Sequence, residues 1–483
     1  MPSVPQGPWD DRVLWGEDAN GNAFAYRPGE IIVEAEATDA LRALVLPPGV
    51  DDELHEPADE LLGLRRFVGI PEPVGVARAL RAKGWRASVN HVLFAHIDEA
   101  SPYAAVNAAG SGNPVGFGNP VGFGNPVGFG NPVGFGNPVG FGNPAISYVP
   151  VVTGWWSDGQ RGPCRCPADC GPGPVRRTGV RRTSAVPAPE RDHGRPRTVA
   201  RPAADVGVLV LDTGPEAEDP WDGDGDGLLD PAAGHSRFVA GIYGTRAEGV
   251  RITERRVIGG HGDVADWDAA RALADALPSI GQPAPPPPDG PPGDGDVEDG
   301  PEFHIVNMSF GGYTADDDQP ITLATAILQL QRRWTVGAAA EVNLDQPLGD
   351  ANVVVVASAG NDASCRRVWP AAFDDVIAVG AVGPDGPAPF TNRGGWVTAC
   401  APGVDITGRF LDLRGAGAAD PQEQAFQGWA RWSGTSFAAP LVGAQLAFER
   451  LATGERVGAV AARVLHGRQQ LRLPGLGTVV DVA

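Results

Sequence analysis

The chain has 483 residues, of which 42% are hydrophobic, and a formal net charge of −21 at pH 7. This length allows two or three folded domains with cores of ordinary size. The acidic balance argues against nucleic acid and anionic membranes as main partners, because both favour basic surface. No stretch of the sequence approaches the roughly 18–20 consecutive apolar residues that a membrane-spanning helix needs.

The first residues lack a basic segment followed by an apolar run, so no secretory signal is recognisable there. This predicts a cytoplasmic protein, whereas a misplaced start codon would leave an extracellular location open. Five cysteines leave at least one unpaired within the chain, and the redox compartment stays open.

After an N-terminal extension (1–23), residues 24–100 predict a small α+β domain. Its hydrophobic pattern indicates strands at 30–36, 64–70 and 88–96, and helices at 39–45 and 73–83.

Residues 101–150 form a separate segment that contains five consecutive copies of GNPVGF at 112–141. A six-residue period is typical of some β-solenoids. Each copy, however, offers one Val and one Phe against Gly, Asn and Pro, and the proline removes a ladder donor. The composition therefore favours a flexible tether over a solenoid.

Residues 151–204 are rich in Cys, Arg and Pro and predict a second linker. The run from Arg176 to Arg201 reverses the acidic charge of the whole chain. It can be a solvated linker, a cleavable activation segment, or a segment that docks on acidic surface elsewhere, and the sequence leaves these open.

From residue 205 the pattern changes to alternating strands and helices, which predicts a layered α/β domain over 205–470, followed by a C-terminal tail (471–483). Near-continuous apolar runs of this kind are buried in parallel sheets. The predicted strands are 206–211, 304–310, 353–360 and 375–382, and the predicted helices are 266–277, 321–333 and 436–450. A Pro/Gly/Asp-rich insertion lies at 281–300.

Three stretches of this domain carry residues suited to catalysis. Asp212 ends the strand VLVLDTG, at the sheet edge where catalytic groups gather. His235 in AAGHSRFVAG and Ser436 in WSGTSFAAP each open an apolar helix. A D-T-G after a strand is also an ordinary turn, and a lone histidine is more often structural than catalytic. The prediction of a catalytic site therefore depends on the three residues taken together.

The ordered set resembles the subtilases, the subtilisin-like serine peptidases, over about residues 205–465. GTSFAAP matches the family's serine motif over seven positions, and the order Asp, His, Ser is kept. ASAGND resembles the oxyanion-hole segment and maps its donor onto Asn361. NMSFGG resembles the strand that lines the substrate cleft, and GGHGD the opposite rim. The substrate-binding residues that the resemblance implies are Ser309, Phe310, Gly311, Gly260 and Gly262.

The resemblance implies a three-layer subtilisin-like fold with a mainly parallel sheet, and a serine endopeptidase that acts through an acyl-enzyme. Ser436 would be the nucleophile, His235 its base, and Asp212 the residue that orients the base. Asn361 would stabilise the oxyanion. This chemistry requires no cofactor.

Subtilases are typically made with a propeptide, and residues 24–100 resemble one in size, position and element order. We therefore predict a monomeric zymogen whose partners are its own propeptide-like domain and protein or peptide substrates. A degenerate, non-catalytic peptide-binding protein and a processing peptidase of narrow specificity are the alternatives.

The sequence departs from the family directly after the histidine, where Gly-Thr is usual and Ser236 and Arg237 stand here. Glycine is normally found where another group must approach the backbone closely, and Ser236 adds a side chain at this position. Arg237 would disfavour a charged imidazolium if it pointed inward. It could equally point to solvent or to the acidic loop upstream.

Two further sites are weaker. Asp222, Asp224 and Asp226 fit positions 1, 3 and 5 of a calcium loop, but Ala233 stands where the bidentate acid is expected. A structural Ca²⁺ site and an acidic solvated turn are both open. Cys365 and Cys400 are predicted to lie in neighbouring loops, as a disulfide or as two thiols.

Overall fold

The computed structural model describes residues 12–18, 21–46, 59–96, 183–185, 198–199, 202–215, 217–276, 303–334, 351–413, 426–467 and 470–482. The GNPVGF repeats, most of the predicted linker at 151–204 and the predicted insertion at 281–300 lie outside these ranges. We call residues 12–96 the small domain and residues 202–482 the α/β domain.

The small domain is an antiparallel sheet with two helices packed on it. Its elements are β1 (Leu14–Glu17), β2 (Ala23–Glu34), α1 (Thr38–Val45), β3 (Asp59–Leu61), β4 (Leu64–Phe67), α2 (Pro73–Ala82) and β5 (Ala87–Ala95). The strands follow the order β5-β2-β4-β3, and β1 pairs with β2. The three strands and two helices predicted here are confirmed, but the domain begins earlier than residue 24, because β1 lies in the predicted extension.

The helices of the small domain form because their apolar residues recur on one face. Leu41 of α1 and Leu80 of α2 pack on Ile31 and Val33 of β2 in one buried cluster. Pro73 occupies the first turn of α2, where its missing N–H costs nothing.

The remaining strands are β6 (Thr183–Ala185), β7 (Gly207–Asp212), β8 (Arg251–Arg256), β9 (Asp263–Ala265), β10 (Ile305–Met308), β11 (Phe310–Gly311), β12 (Val354–Ser358), β13 (Val376–Gly383), β14 (Gly386–Pro387), β15 (Ala399–Pro402), β16 (Ile406–Asp412), β17 (Gln427–Trp432), β18 (Arg472–Leu473) and β19 (Gly477–Val479). The remaining helices are α3 (His235–Arg246), α4 (Asp266–Ala276), α5 (Ile321–Trp334), α6 (Thr435–Thr453) and α7 (Val457–His466). Two single-turn 3₁₀ helices lie at Ala35–Ala37 and Ala315–Asp317.

The α/β domain is built on a parallel sheet in the order β8-β7-β10-β12-β13-β15-β19. The central strands are buried along their whole length, as their apolar sequences predict. Helix α3 packs against α6, and α4 packs against α5. The four predicted strands and three predicted helices are present, within a few residues of the predicted bounds.

The observed sheet differs from the predicted one in two places. Strand β8, of sequence RITERR, was not predicted, because a charged edge strand lacks the apolar run of a buried one. The predicted tail at 471–483 contributes β18 and β19, and β19 pairs in parallel with β15. The tail is therefore part of the sheet.

The two domains meet along β5. This strand pairs antiparallel with β9 on one side and with β11 on the other. It pairs with β2 of its own domain as well. The C-terminal strand of the small domain therefore lies between two strands of the α/β domain, and it leads directly to His96.

No helix within the described ranges is long and apolar enough to cross a membrane.

Candidate active site

Asp212 and His235 form a buried pair. Asp212 is the last residue of the buried strand β7, and His235 is the first residue of α3. The Nδ1 of His235 lies 2.7 Å from Oδ1 of Asp212, and both side chains are fully buried. Because a carboxylate can only accept, Nδ1 is the donor and Nε2 is left as the acceptor nitrogen. Nε2 has no hydrogen-bond partner among the described residues.

A second carboxylate binds the residue that follows Asp212 and the residue that precedes His235. Asp219 accepts the hydroxyl of Thr213 at 2.8 Å and the backbone N–H of Gly234 at 2.7 Å. Burial raises the pKa of Asp219 to about 6, even though both hydrogen bonds act in the opposite direction. Gly234 has a left-handed φ of 74°, and an added Cβ would lie 2.8 Å from Phe410.

The residues that depart from the family pattern are accommodated. Ser236 is buried, and its hydroxyl donates to Oε2 of Glu254 at 2.7 Å, while its backbone N–H donates to Thr213. Arg237 is half-buried. Burial raises the pKa of Glu254, and the nearby charge of Arg237 acts in the opposite direction. The charge of Arg237 therefore acts on Glu254 of the neighbouring strand β8.

Aromatic rings enclose the imidazole of His235. The ring of Trp432 meets it edge-on with centroids 5.6 Å apart, and Phe437 lies at 5.5 Å. Strand β17 places Trp432 there by pairing with β16, and β6 pairs with β17 from within the predicted linker. These contacts fix the plane of the imidazole.

Ser436 lies in the first turn of α6, which contains Pro440. Proline cannot donate to the carbonyl four residues earlier, so the carbonyl of Ser436 is released from the helix ladder. The hydroxyl of Ser309 donates to that carbonyl at 2.9 Å. The motif GTSFAAP thus ties the start of α6 to the strand segment at Ser309.

Asn361 has its amide fixed by Thr435. Its Oδ1 accepts both the backbone N–H and the hydroxyl of Thr435, at 3.0 and 2.8 Å. The Nδ2 group therefore points the other way, where it donates to the carbonyl oxygen of His96 at 2.6 Å.

The same carbonyl lies against Ser436. The hydroxyl of Ser436 is 2.8 Å from the carbonyl oxygen of His96 and 2.9 Å from that of Ser309. Gly434 leaves room for this arrangement, since an added Cβ would lie 2.6 Å from the oxygen of His96. A peptide carbonyl therefore lies between a serine hydroxyl and a fixed amide donor.

The segment before His96 runs through the predicted cleft. The N–H of Ala95 donates to the carbonyl of Gly262 at 2.8 Å, and the N–H of His96 to that of Ser309 at 3.4 Å. Phe310 and Gly311 pair with this segment through their backbone. The side chain of Phe310 itself is buried in the core.

Gly260 lies elsewhere than the resemblance implies. An added Cβ at Gly260 would clash with Oδ2 of Asp230, and the carbonyl of Gly260 accepts the N–H of Ala232. Its lack of a side chain makes room for Asp230 rather than for a bound peptide.

The three carboxylates of the predicted calcium loop are gathered, with oxygens of Asp222, Asp224 and Asp226 within 4.8 Å of one another. Each carboxylate also accepts backbone N–H groups of its own turn, such as those of Gly225 and Gly227. Oxygen donors in this number suit a hard cation, and calcium binding here stays a prediction.

Of the two alternatives for Cys365 and Cys400, both in the described part of the chain, the structure has two thiols and not a disulfide. Cys400 is fully buried on β15 in a cluster with Val397 and Leu476, whereas Cys365 is half-buried in a loop. Burial raises the pKa of the Cys400 thiol to about 12, which makes it unreactive.

The sequence patterns do not indicate five residues that belong to this site: His96, Asp219, Glu254, Thr435 and Trp432. One signal was available for His96, because it ends an apolar strand directly before a long low-complexity segment. Asp219 and Glu254 carry no such signal, since their partners lie up to 18 residues away in sequence.

A buried carboxylate–imidazole pair, a serine at a helix start and an amide donor on an α/β sheet define the serine-hydrolase class of site. The sequence model of the subtilase family matches residues 211–453, half of the chain, so the protein belongs to that family.

Two curated relatives match parts of the chain. A thermophilic serine proteinase of Bacillus sp. (strain AK1) is 43% identical over 90 residues, 18% of this chain. An extracellular basic protease of Dichelobacter nodosus is 32% identical over 210 residues, 42% of this chain. The chain spans only 19% and 27% of the length of these relatives.

Solved structures of similar arrangement include the prenylagaramide maturation protease PagA, with 21% identity and a TM-score of 0.41 over 58% of this chain and 93% of that one. A cold-adapted subtilisin-like serine proteinase has 18% identity and a TM-score of 0.40, over 62% of this chain and 95% of that one.

Proposed function

We propose that the protein is a serine endopeptidase that forms an acyl-enzyme on Ser436, and that it is made as a zymogen inhibited by its small domain. One observation carries the proposal. His96 directly follows β5, the strand bound in the cleft. The carbonyl oxygen of His96 lies within hydrogen-bond distance of both Ser436 and Asn361.

The first chemical step that we propose uses four residues of the site. The Oγ of Ser436 attacks the carbonyl carbon, and Nε2 of His235 accepts the hydroxyl proton. Asp212 holds the imidazole through Nδ1 and stabilises the imidazolium. Asn361 donates to the oxyanion, an interaction worth about 10²–10³ in turnover in enzymes of this chemistry.

The second step completes the hydrolysis. His235 returns its proton to the leaving amine, which departs as the new N-terminus. A water then attacks the acyl group, again with His235 as base, and the product carboxylate leaves Ser436 free.

Zymogen character is supported by how the small domain is held. Arg78 and Arg81 both donate to the carboxylate of Asp316 in the α/β domain. Arg27 pairs with the buried Asp263 at 3.0 Å. Ser436 is fully buried beneath the segment that ends at His96, so other substrates are excluded while the small domain stays in place.

These positions favour cleavage between His96 and Ile97, since the carbonyl of His96 is the one that Ser436 approaches. Such a cut separates the small domain covalently from everything that follows it. The small domain then remains as a non-covalent inhibitor until it dissociates or is degraded.

The test compares the full-length chain with Ser436→Ala. We expect the wild type to yield a fragment whose N-terminal sequencing begins at Ile97, and Ser436→Ala to remain intact. A fluorophosphonate probe should label the processed wild type and not the variant. Intact wild-type chain without labelling would favour the alternative, a non-catalytic protein that uses the cleft to bind peptides.

A further inference from the structure

The side chain of His96 is enclosed in the α/β domain. It is 5% exposed, and its Nδ1 lies 2.6 Å from the hydroxyl of Ser358 at the end of β12. Among the residues that the structure describes, this hydroxyl is the side-chain group that forms a hydrogen bond with the imidazole.

The pocket is also shaped to the size of the ring. Gly311 lies against it, and an added Cβ at that position would lie 2.8 Å from Cε1 of His96. The same Cβ would also meet Val368 and the carbonyl of Trp369. A glycine here therefore provides the space in which the imidazole lies.

The imidazole is bound in its neutral form. Burial lowers the pKa of His96 from 6.5 to about 3, and the nearby His235 acts in the same direction. Hydrogen bonds to the backbone of Gly311 and Ser358 oppose these effects without reversing them. Among the described residues the imidazole has a hydroxyl, not a carboxylate, as its side-chain hydrogen-bond partner, so a cationic side chain here would lack a counter-ion.

A neutral imidazole has one donor nitrogen and one acceptor nitrogen, and a serine hydroxyl can serve either. An aliphatic or aromatic side chain would leave the hydroxyl of Ser358 buried without a partner. Sites built around a buried polar group discriminate strongly against ligands that lack the matching group.

We propose that this pocket selects a neutral histidine at the residue before the cleaved bond, and that Ser358 is the specificity-determining residue. The inference rests on the proposed peptidase function and narrows it to a class of substrate. The protein would then be a peptidase that cleaves after histidine, and the bond after its own His96 would be the first one that it cleaves.

The residues that precede His96 indicate which side chains a substrate carries at the positions before the histidine. Ala95 and Leu93 are both buried with the core of the α/β domain. Phe94 stacks on Trp15 of the small domain with ring centroids 6.0 Å apart, so its side chain is held in part by that domain. Phe94 also packs with Tyr313 and Val368 of the α/β domain. We therefore expect preferred substrates to carry Leu, Phe, a small residue and His in succession before the cleaved bond.

The first test is a double-mutant cycle on self-cleavage of the full-length chain. Ser358→Ala should slow the appearance of the Ile97 fragment about tenfold, as expected for loss of a buried hydrogen bond. His96→Leu should slow it by a similar factor. The double variant should be no slower than His96→Leu alone, because the two substitutions remove the same interaction.

The second test uses processed enzyme and two peptides that end in Leu-Phe-Ala-His and Leu-Phe-Ala-Leu before the cleaved bond. We expect kcat/KM to favour the histidine peptide at least tenfold, and Ser358→Ala to bring the ratio close to one. Thr245→Ala is the matched control, because it removes a hydroxyl that bonds only within α3. It should leave the ratio unchanged.

The ratio should also depend on pH. The histidine peptide must lose its proton to enter the pocket, so the ratio should fall about tenfold for each pH unit below about 6.5. His235 also lies near this pocket, but it acts on both peptides, so its contribution cancels in the ratio.

Equal loss with both peptides in Ser358→Ala, additive effects in the cycle, or a wild type without preference would overturn the inference and leave the peptidase function standing. Failure of the peptidase function itself has a different signature. It would appear as cleavage that persists in Ser436→Ala, or as no cleavage and no fluorophosphonate labelling in the wild type.

Discussion

The histidine side and the serine side of the site are held in different ways. The histidine side comprises Asp212, Thr213, Asp219, Gly234, His235 and Ser236. Its hydrogen bonds all lie within the α/β domain. The serine side comprises Ser309, Asn361, Thr435 and Ser436. There both Ser436 and Asn361 direct a donor at His96 of the small domain.

This difference separates two requirements of the proposed chemistry. The orientation of the base is built into the α/β domain and does not depend on what occupies the cleft. The positions of the nucleophile and the oxyanion donor are completed by a bound carbonyl. Substitutions on the serine side should therefore change mainly the rate of cleavage. Substitutions on the histidine side should change both the rate of cleavage and the free energy of unfolding.

The largest effect is expected from Asn361→Ala on the serine side. Loss of its Nδ2 donor should slow self-cleavage of the full-length chain by about 10²–10³. Quenched time points separated by gel electrophoresis measure the rate. With processed enzyme and peptide substrates, kcat should fall while KM changes little, because the donor acts on the oxyanion. A reduction below tenfold would mean that Asn361 is not the oxyanion donor.

On the histidine side, we expect the free energy of unfolding to depend on pH because of Asp219. Its folded pKa is raised to about 6 from 3.8, so the folded state favours the protonated form. The stabilising contribution is therefore fully present below 3.8 and is lost as pH rises through about 6. The loss should be about 1.4 kcal/mol for each pH unit in that window.

Thermal unfolding between pH 4 and pH 7 measures this contribution, in a Ser436→Ala background that prevents self-cleavage. Asp219→Asn keeps the shape of the side chain and removes its titration, so its midpoint should fall less across this window than that of the parent. Parallel pH profiles of the two proteins would contradict the assignment.

The parts of the site that could be predicted from sequence are those carried by contiguous residues. Asp212 follows an apolar strand, and Ser436 precedes an apolar helix with a proline one turn in. These patterns reflect local geometry, so a short stretch contains enough information. The central sheet could be predicted for the same reason, since its buried strands are continuous apolar runs.

The contacts within the site that could not be predicted depend on topology. Ser309 meets Ser436 across 127 residues, and Asn361 meets His96 across 265. The small domain was predicted as propeptide-like from its position, but its contact residue His96 was identified only by the pairing of β5 with β9 and β11. The role of Ser358 likewise depends on a side chain that arrives from another domain.

A smaller effect is expected from Ser236→Gly, which restores the residue usual in the family. It removes the hydrogen bond to the half-buried Glu254, at a cost of about 1 kcal/mol in the free energy of unfolding. Self-cleavage should change by less than about threefold, because the contact between His235 and Asp212 is untouched. Denaturant unfolding in the Ser436→Ala background gives the stability. A loss of rate comparable to that of Asn361→Ala would show that Ser236 sets the position of the base.

The smallest effect concerns the acidic loop that leads into the histidine side. If Asp222, Asp224 and Asp226 bind Ca²⁺, millimolar calcium should raise the unfolding midpoint by about 2–4 °C over chelator-treated protein. Asp226→Asn should abolish this shift, and Asp268→Asn, at an exposed acid on α4, should retain it. Because Ser358 and Gly311, which form the pocket for His96, are separate from this loop, calcium should leave the preference for histidine peptides unchanged. A calcium-dependent change in that preference would mean that the two sides are coupled.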